Sequence, residues 1–159
     1  MQSFKARGKG RRYAMQALYS WVISSSDVYE IEAFYLKDRN PNNFDVAYFH
    51  RILHDVVNKQ TEIDAVITRF IDRPFKDVST IELTILRVAT YEMIYSFDVP
   101  FKVIISEAVE LAKTFGADDS HKFINSILDN MATELRAAEK SAKESLACKK
   151  NTIQESVPS

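Results

Sequence analysis

Apolar residues recur at spacings of three and four along most of the chain, the period of amphipathic helices, and seldom alternate as strands do. The first stripe runs from about Arg11 to Ile23. Ala14, Ala17, Leu18 and Trp21 share one face, while Arg12, Gln16 and Tyr19 fall together on another. A second helix is predicted from Asp27, whose carboxylate can cap it while Glu30 reaches back, with Ile31, Phe34 and Tyr35 inward. Asp38 to Asn43 reads as a loop. From Asp45, residues Val46, Phe49, Ile52, Leu53 and Val56 make a third stripe. Ile63, Val66, Ile67, Phe70 and Ile71 make a fourth, stopped at Pro74.

Ser79 with Glu82 three residues on is a capping-box pattern and opens a helix through Met93. Its apolar residues, Ile81 to Tyr91, spread around most of the circumference, which places this helix at the centre of a bundle. Asp98-Val99-Pro100 is a sharp connection. Ile104, Ala108, Leu111, Ala112 and Phe115 follow as a clean stripe, and Gly116 is expected to end it in a left-handed conformation. Asp118 or Asp119 is then expected to cap a last helix with Ile124, Ile127, Leu128, Met131 and Leu135 inward. Six or seven short helices with brief connections make an all-α globule.

A length of 159 residues with 46% hydrophobic side chains suits one domain with its own core. Three glycines and four prolines disfavour a loop-rich sandwich or a glycine-lined nucleotide fold. No apolar run exceeds four residues, so neither a membrane-spanning helix nor a signal-peptide core is expected. A single cysteine, Cys148, suits a reducing cytoplasm. Net charge is −1, but it is unevenly placed. Residues 1–12 carry five cations and no acid, and are read as a basic flexible arm loosened by Gly8 and Gly10. Residues 13–136 hold 12 cations against 19 acids, leaving the body at −7. The helical domain is placed at 11–136. Residues 137–159 are read as a polar tail, able at most to extend the last helix and frayed or disordered beyond about 140. A basic arm on an acidic body suits two partners, a polyanion for the arm and a basic surface for the body; alternatively the arm is merely a solvated end.

Candidate chemistry is sparse. His50 and His54 share a helix face but lack the glutamate of a zinc-protease motif and any third ligand evident in sequence, so they read as partly exposed surface residues and no metal is expected. Asp118, Ser120 and His121 are too close in sequence to form a nucleophilic relay. Gly8-Lys9-Gly10 lacks the spacing and preceding strand of a phosphate loop. Neither catalysis nor a cofactor is expected. Arg11, Arg12, Gln16 and Tyr19, by contrast, combine cations, an amide and an aromatic ring on adjoining helical surface, the set that single-stranded RNA binding uses. Tyr19 reads either as a stacking residue or as a residue at the rim of the core.

Tyr13-Ala14-Met15-Gln16-Ala17-Leu18-Tyr19-Ser20-Trp21 after a basic arm resembles the opening of the NusB family of transcription antitermination factors. A second block carries the resemblance further: Asp98-Val99-Pro100-Phe101-Lys102-Val103, then Glu107-Ala108-Val109-Glu110-Leu111-Ala112-Lys113, then Phe115 to Asn125 and Leu128-Asp129. Glu82 and Leu86-Arg87 sit between the blocks, so the resemblance spans about residues 5–136. It implies an all-helical pair of small bundles and a cytoplasmic, non-catalytic factor. Such a factor would bind the boxA element of nascent ribosomal RNA together with NusE, a basic ribosomal protein, within the RNA polymerase antitermination complex. Carried onto this chain, the resemblance implies RNA contacts at Arg7, Arg11, Gln16 and Tyr19, with Lys9 and Arg12 of the arm adding charge. Phe115, Asp119 and Phe123 match a second RNA-facing segment, and Glu82 a position near the junction with the protein partner. Gly8, Gly10 and Ser106 depart from the family pattern. Two other readings stand beside this one: a helical protein–protein adaptor or homodimer of the free protein, and an accessory domain of an RNA methyltransferase, for which a Rossmann-like catalytic domain is missing.

Overall fold

The computed structural model describes residues 3–142, and within them the chain forms seven α-helices, one 3-10 turn and a short helical segment over 137–142. In chain order these are α1 (Phe4–Ser24), α2 (Val28–Lys37), α3 (Val46–Asn58), α4 (Gln60–Thr68), the 3-10 turn Phe75–Asp77, α5 (Thr80–Tyr95), α6 (Phe101–Phe115) and α7 (Ser120–Leu135). Helices α1, α2 and α3 pack together as one half, α4 to α7 as the other, and α5 touches both. Every residue of α5 from Leu83 to Met93 is buried, as its all-round apolar pattern requires. No helix of the described residues is long and apolar enough to cross a membrane.

Several ends are set as the local chemistry demands. Asp27 accepts from the Tyr29 N–H, Asp45 from the Tyr48 N–H, and Ser79 with Glu82 forms a complete capping box. At the other end of α5 the buried guanidinium of Arg136 donates to the carbonyls of Glu92, Met93, Val99 and Ser96. Carbonyls that a helix terminus leaves without partners are thereby satisfied from a segment some forty residues away.

The structure departs from the sequence reading in identifiable ways. Helix α1 begins at Phe4, capped by Ser3, so most of the expected flexible arm is the first two turns of a helix. Gly10 is there for close approach: a Cβ would lie 2.8 Å from the Asp45 carbonyl oxygen, where α1 crosses the start of α3. The Asp45 N–H donates to the Ala6 carbonyl at the same crossing. Phe34 is exposed, because a ten-residue helix buries one face and Ile31 with Tyr35 occupies it. Helix α4 ends at Thr68 rather than at Pro74.

Gly116 is extended (φ −92°, ψ −179°), not left-handed. Its requirement is steric, since a Cβ would stand 2.8 Å from both the Ala112 oxygen and the Ser120 Cβ. Neither aspartate caps α7 through its side chain. Asp119 stands at the N-cap position without a cap bond, and the Ser120 hydroxyl takes the Ala117 N–H instead. Residues 137–142, expected as the start of a polar tail, are helical after a break at Arg136. They are tied down by Glu139 on Arg136 and on the Phe101 N–H, and by Lys140 on Thr133. The rest of the expected tail, from residue 143, lies outside the described residues.

Candidate nucleic-acid interface

The helical period separates the charged residues of α1 onto two faces. Arg7 and Arg11, four apart, point toward α3 and α5; Arg12, Gln16 and Tyr19 lie on the side facing α6. On the inner face Arg11 is 4% exposed and grips Glu92 of α5 through two bonds, Nε to Oε1 at 2.7 Å and Nη2 to Oε2 at 2.8 Å. The Tyr48 hydroxyl donates to the same carboxylate from α3. Burial works against the Arg11 charge, but the hydrogen bonds and attraction of Glu92 outweigh it and hold its pKa above the ordinary value. Burial and the Glu92 charge both push the Tyr48 phenol upward. Arg11, expected among the RNA contacts, therefore stands in the core with its charge engaged. Arg7 lies on the same side, donating to Asp98 at 3.0 Å with its guanidinium 4.9 Å over the Tyr48 ring. Its hydrogen bond keeps the Asp98 carboxyl below the usual carboxylate range, against the effect of burial.

The outer face is different in kind. Gln16 and Tyr19 of α1, Phe115 at the end of α6 and Ile81 at the start of α5 line an open cleft of about 400 Å³. The Arg12 guanidinium lies 5.2 Å over the Phe115 ring. Tyr19 is 37% exposed and lines the cleft. A second cleft, of about 420 Å³, adjoins along Arg12 and is lined by Lys5 and Lys9 with Glu107 and Glu110 of α6. Among the described residues no carboxylate reaches Lys5, Lys9 or Arg12 within ion-pair distance. Three of the five basic charges thus remain available to a ligand, while Arg7 and Arg11 are paired internally.

The second expected segment lies at the start of α7. Asp119 is exposed, with its nearest cation Lys122 at 3.5 Å. Phe123 is half-buried and carries the Arg73 guanidinium 4.1 Å over its ring. Arg73 was not legible as part of this site, because nothing in its own surroundings links it to a phenylalanine fifty residues later. Glu82 is half-buried, and its Oε1 accepts from the Ser79 N–H and hydroxyl, at 3.3 and 2.9 Å. The structure therefore brings Arg12, Gln16, Tyr19 and Phe115 together, sets Lys9 beside them, and pairs Phe123 with Arg73. It does not bring in Arg7 or Arg11.

His54 is buried rather than on the surface, and the third candidate ligand, not evident in sequence, is the carboxylate of Glu32 on α2, which contacts both imidazoles.

The NusB family model matches residues 9–133. The chain is 48% identical over 125 residues to the transcription antitermination protein NusB of Shewanella woodyi, covering 79% of this chain and 93% of that protein. To its counterpart in Shewanella halifaxensis it is 45% identical over 130 residues, covering 82% and 96%. A solved T. maritima NusB superposes with a TM-score of 0.72 at 28% identity, covering 84% of this chain and 94% of that one. A solved complex of the antitermination factors NusB and NusE with double-stranded RNA shares the fold at a TM-score of 0.73 and 22% identity, covering 80% and 96%. The matched span takes in α1 from residue 9 onward and the second motif block, which line the outer clefts, and the chain belongs to the NusB family of transcription antitermination proteins.

Proposed function

We propose that the outer face of α1 binds single-stranded boxA-type RNA of nascent ribosomal transcripts, and that the protein does so jointly with the basic ribosomal protein NusE in the antitermination complex of RNA polymerase. The observation that carries this reading is the cleft of Gln16, Tyr19 and Phe115 with Arg12 over the Phe115 ring. Aromatic faces accept stacked bases, the amide reads a base edge, and Lys5, Lys9 and Arg12 supply charge for phosphates. Phe123, Arg73 and Asp119 extend the surface, the carboxylate accepting from base amino groups. Arg7 and Arg11 shape the helix that presents these groups instead of touching RNA. Family membership supports the reading, as does the naming of NusE and RNA with the neighbour of shared fold. The protein acts without catalysis, in the cytoplasm.

The body at −7 supports the second half of the reading, since it repels RNA and suits a basic partner. Docking NusE near Glu82 neutralises that repulsion, so RNA and NusE bind cooperatively, each strengthening the other by the same factor. Calorimetric titration of boxA RNA into the protein, with and without NusE, tests this. Tighter RNA binding in the presence of NusE is expected, and a smaller gain in Glu82→Lys. A coupling factor near one rejects the two-partner mechanism, and no RNA binding in either setting leaves a helical protein–protein adaptor.

A further inference from the structure

We infer that Glu32, His50 and His54 form a binding site for a late first-row divalent ion of the zinc class, which clamps α2 against α3. His50 and His54 are one helical turn apart on α3, and their rings lie 4.2 Å apart at 34°. Across the helix–helix contact, one oxygen of Glu32, Oε2, stands 2.6 Å from His50 Nδ1 and 2.9 Å from His54 Nε2. The three donor atoms all lie within 4.8 Å of one another. The Glu32 and His54 side chains are 14% and 11% exposed, whereas His50 is 55% exposed, so the cluster has two shielded ligands and one open side. Tyr29 walls His54 with its ring 4.8 Å away.

Two imidazoles with one carboxylate form a donor set of borderline softness. It suits Zn²⁺, Ni²⁺ or Cu²⁺, and not Mg²⁺ or Ca²⁺, which take oxygen ligands. Zinc binds such donors at about 2.0–2.2 Å, which sets tetrahedral ligands about 3.3 Å apart. Insertion therefore asks the carboxylate oxygen to retreat by on the order of half an ångström from its present contacts. It also asks the two imidazole nitrogens to settle at the same spacing from a separation of up to 4.8 Å, movements that a glutamate side chain and two histidine rings can make. Three protein ligands leave a fourth position toward the open side for water.

The consequence is local. Helix α2 is ten residues long and fully buries only Ile31 and Tyr35; Val28 and Leu36 pack half-buried against the core, and Tyr29 and Phe34 are exposed. A helix of this length depends on tertiary anchors. A metal bridging Glu32 to α3 adds such an anchor in the middle of α2.

The test uses the full chain with Cys148→Ser, which removes the one thiol that competes for such ions. Calorimetric titration with Zn²⁺ should show one equivalent bound, unaffected by excess Mg²⁺, and Co²⁺ should give the visible absorption of a low-coordinate site. Hydrogen exchange over residues 28–37 should slow when Zn²⁺ is added. His50→Ala and Glu32→Gln alter one exposed ligand and one carboxylate. Each should weaken binding by more than the roughly 10–100-fold that loss of an outer-shell partner costs. His121→Ala should bind like the parent, and circular dichroism verifies folding of each variant. Absence of one-equivalent binding, or binding that survives in both His50→Ala and Glu32→Gln, overturns the proposal and leaves a metal-free hydrogen-bonded cluster.

Discussion

Arg11 and Arg12 are the same residue type, adjacent in sequence, on the same helix. Arg11 is buried against Glu92 and Tyr48; Arg12 is exposed and lies over Phe115. A step of one residue along α1 turns the side chain by about 100°, enough to move a guanidinium from the interior to the surface. In the interior the charge is removed from water, so it must be matched by an opposite charge and by hydrogen bonds. On the surface it stays solvated and is available to a ligand. Basic residues near a terminus are therefore not one functional class, and a cluster of five cations is here one arginine paired in the core, one paired at the surface and three free charges.

The sharpest way to break the comparison is to remove each arginine in turn. Arg11→Ala leaves the Glu92 carboxylate buried without its cation, and about 3–5 kcal/mol of stability should be lost in urea unfolding. Arg12→Ala removes only a surface cation–π contact, for which about 0.5–1 kcal/mol is expected. Comparable losses in the two variants would erase the distinction between faces. The next effect concerns Tyr19. Changing it to Ala should reduce RNA affinity by about 1–3 kcal/mol with little change in melting temperature. A stability loss of several kcal/mol would mark the ring as part of the core.

Salt dependence sharpens the count of free charges. With three cations released to the RNA, the log–log slope of affinity against salt should be no steeper than about −2, whereas five would allow about −3.5. A measured slope near the steeper limit would mean that further cations join the contact, either Arg73 or arginines that leave their carboxylates on binding. The smallest expected effect on folding is that of Asp119→Asn. Because this carboxylate makes no cap bond, unfolding free energy should stay within about 0.5 kcal/mol of the parent. Weakened RNA binding alongside would assign Asp119 to the outer surface, and unchanged binding would remove it.

The two histidines show how far a site can be read from a single segment. Their spacing on one face of α3 was plain, yet Glu32 lies on another helix, and only packing sets its carboxylate between them. Arg73 over Phe123 is the same case. The outer cleft was more legible, because Gln16 and Tyr19 share one turn pattern and the motif blocks marked Phe115.

What the sequence by itself determined is whatever depends on neighbours within about four residues. The helical period, the caps at Asp27 and Ser79, the central place of α5 and the family motifs are of this kind. The start of α1 at Phe4 has no local signal because Gly8 and Gly10 lower intrinsic helix propensity, and the close crossing over Asp45 outweighs that cost. Gly116 departs from the left-handed end its position suggests because its need is for space beside Ser120, not for a positive φ. The tertiary structure alone decided which charges are internal. Glu92 reaches Arg11 across 81 positions, and Arg136 reaches the end of α5 across some forty. A buried charge is stable only where packing supplies its partner, and such partners come from segments whose separation in sequence carries no local signal.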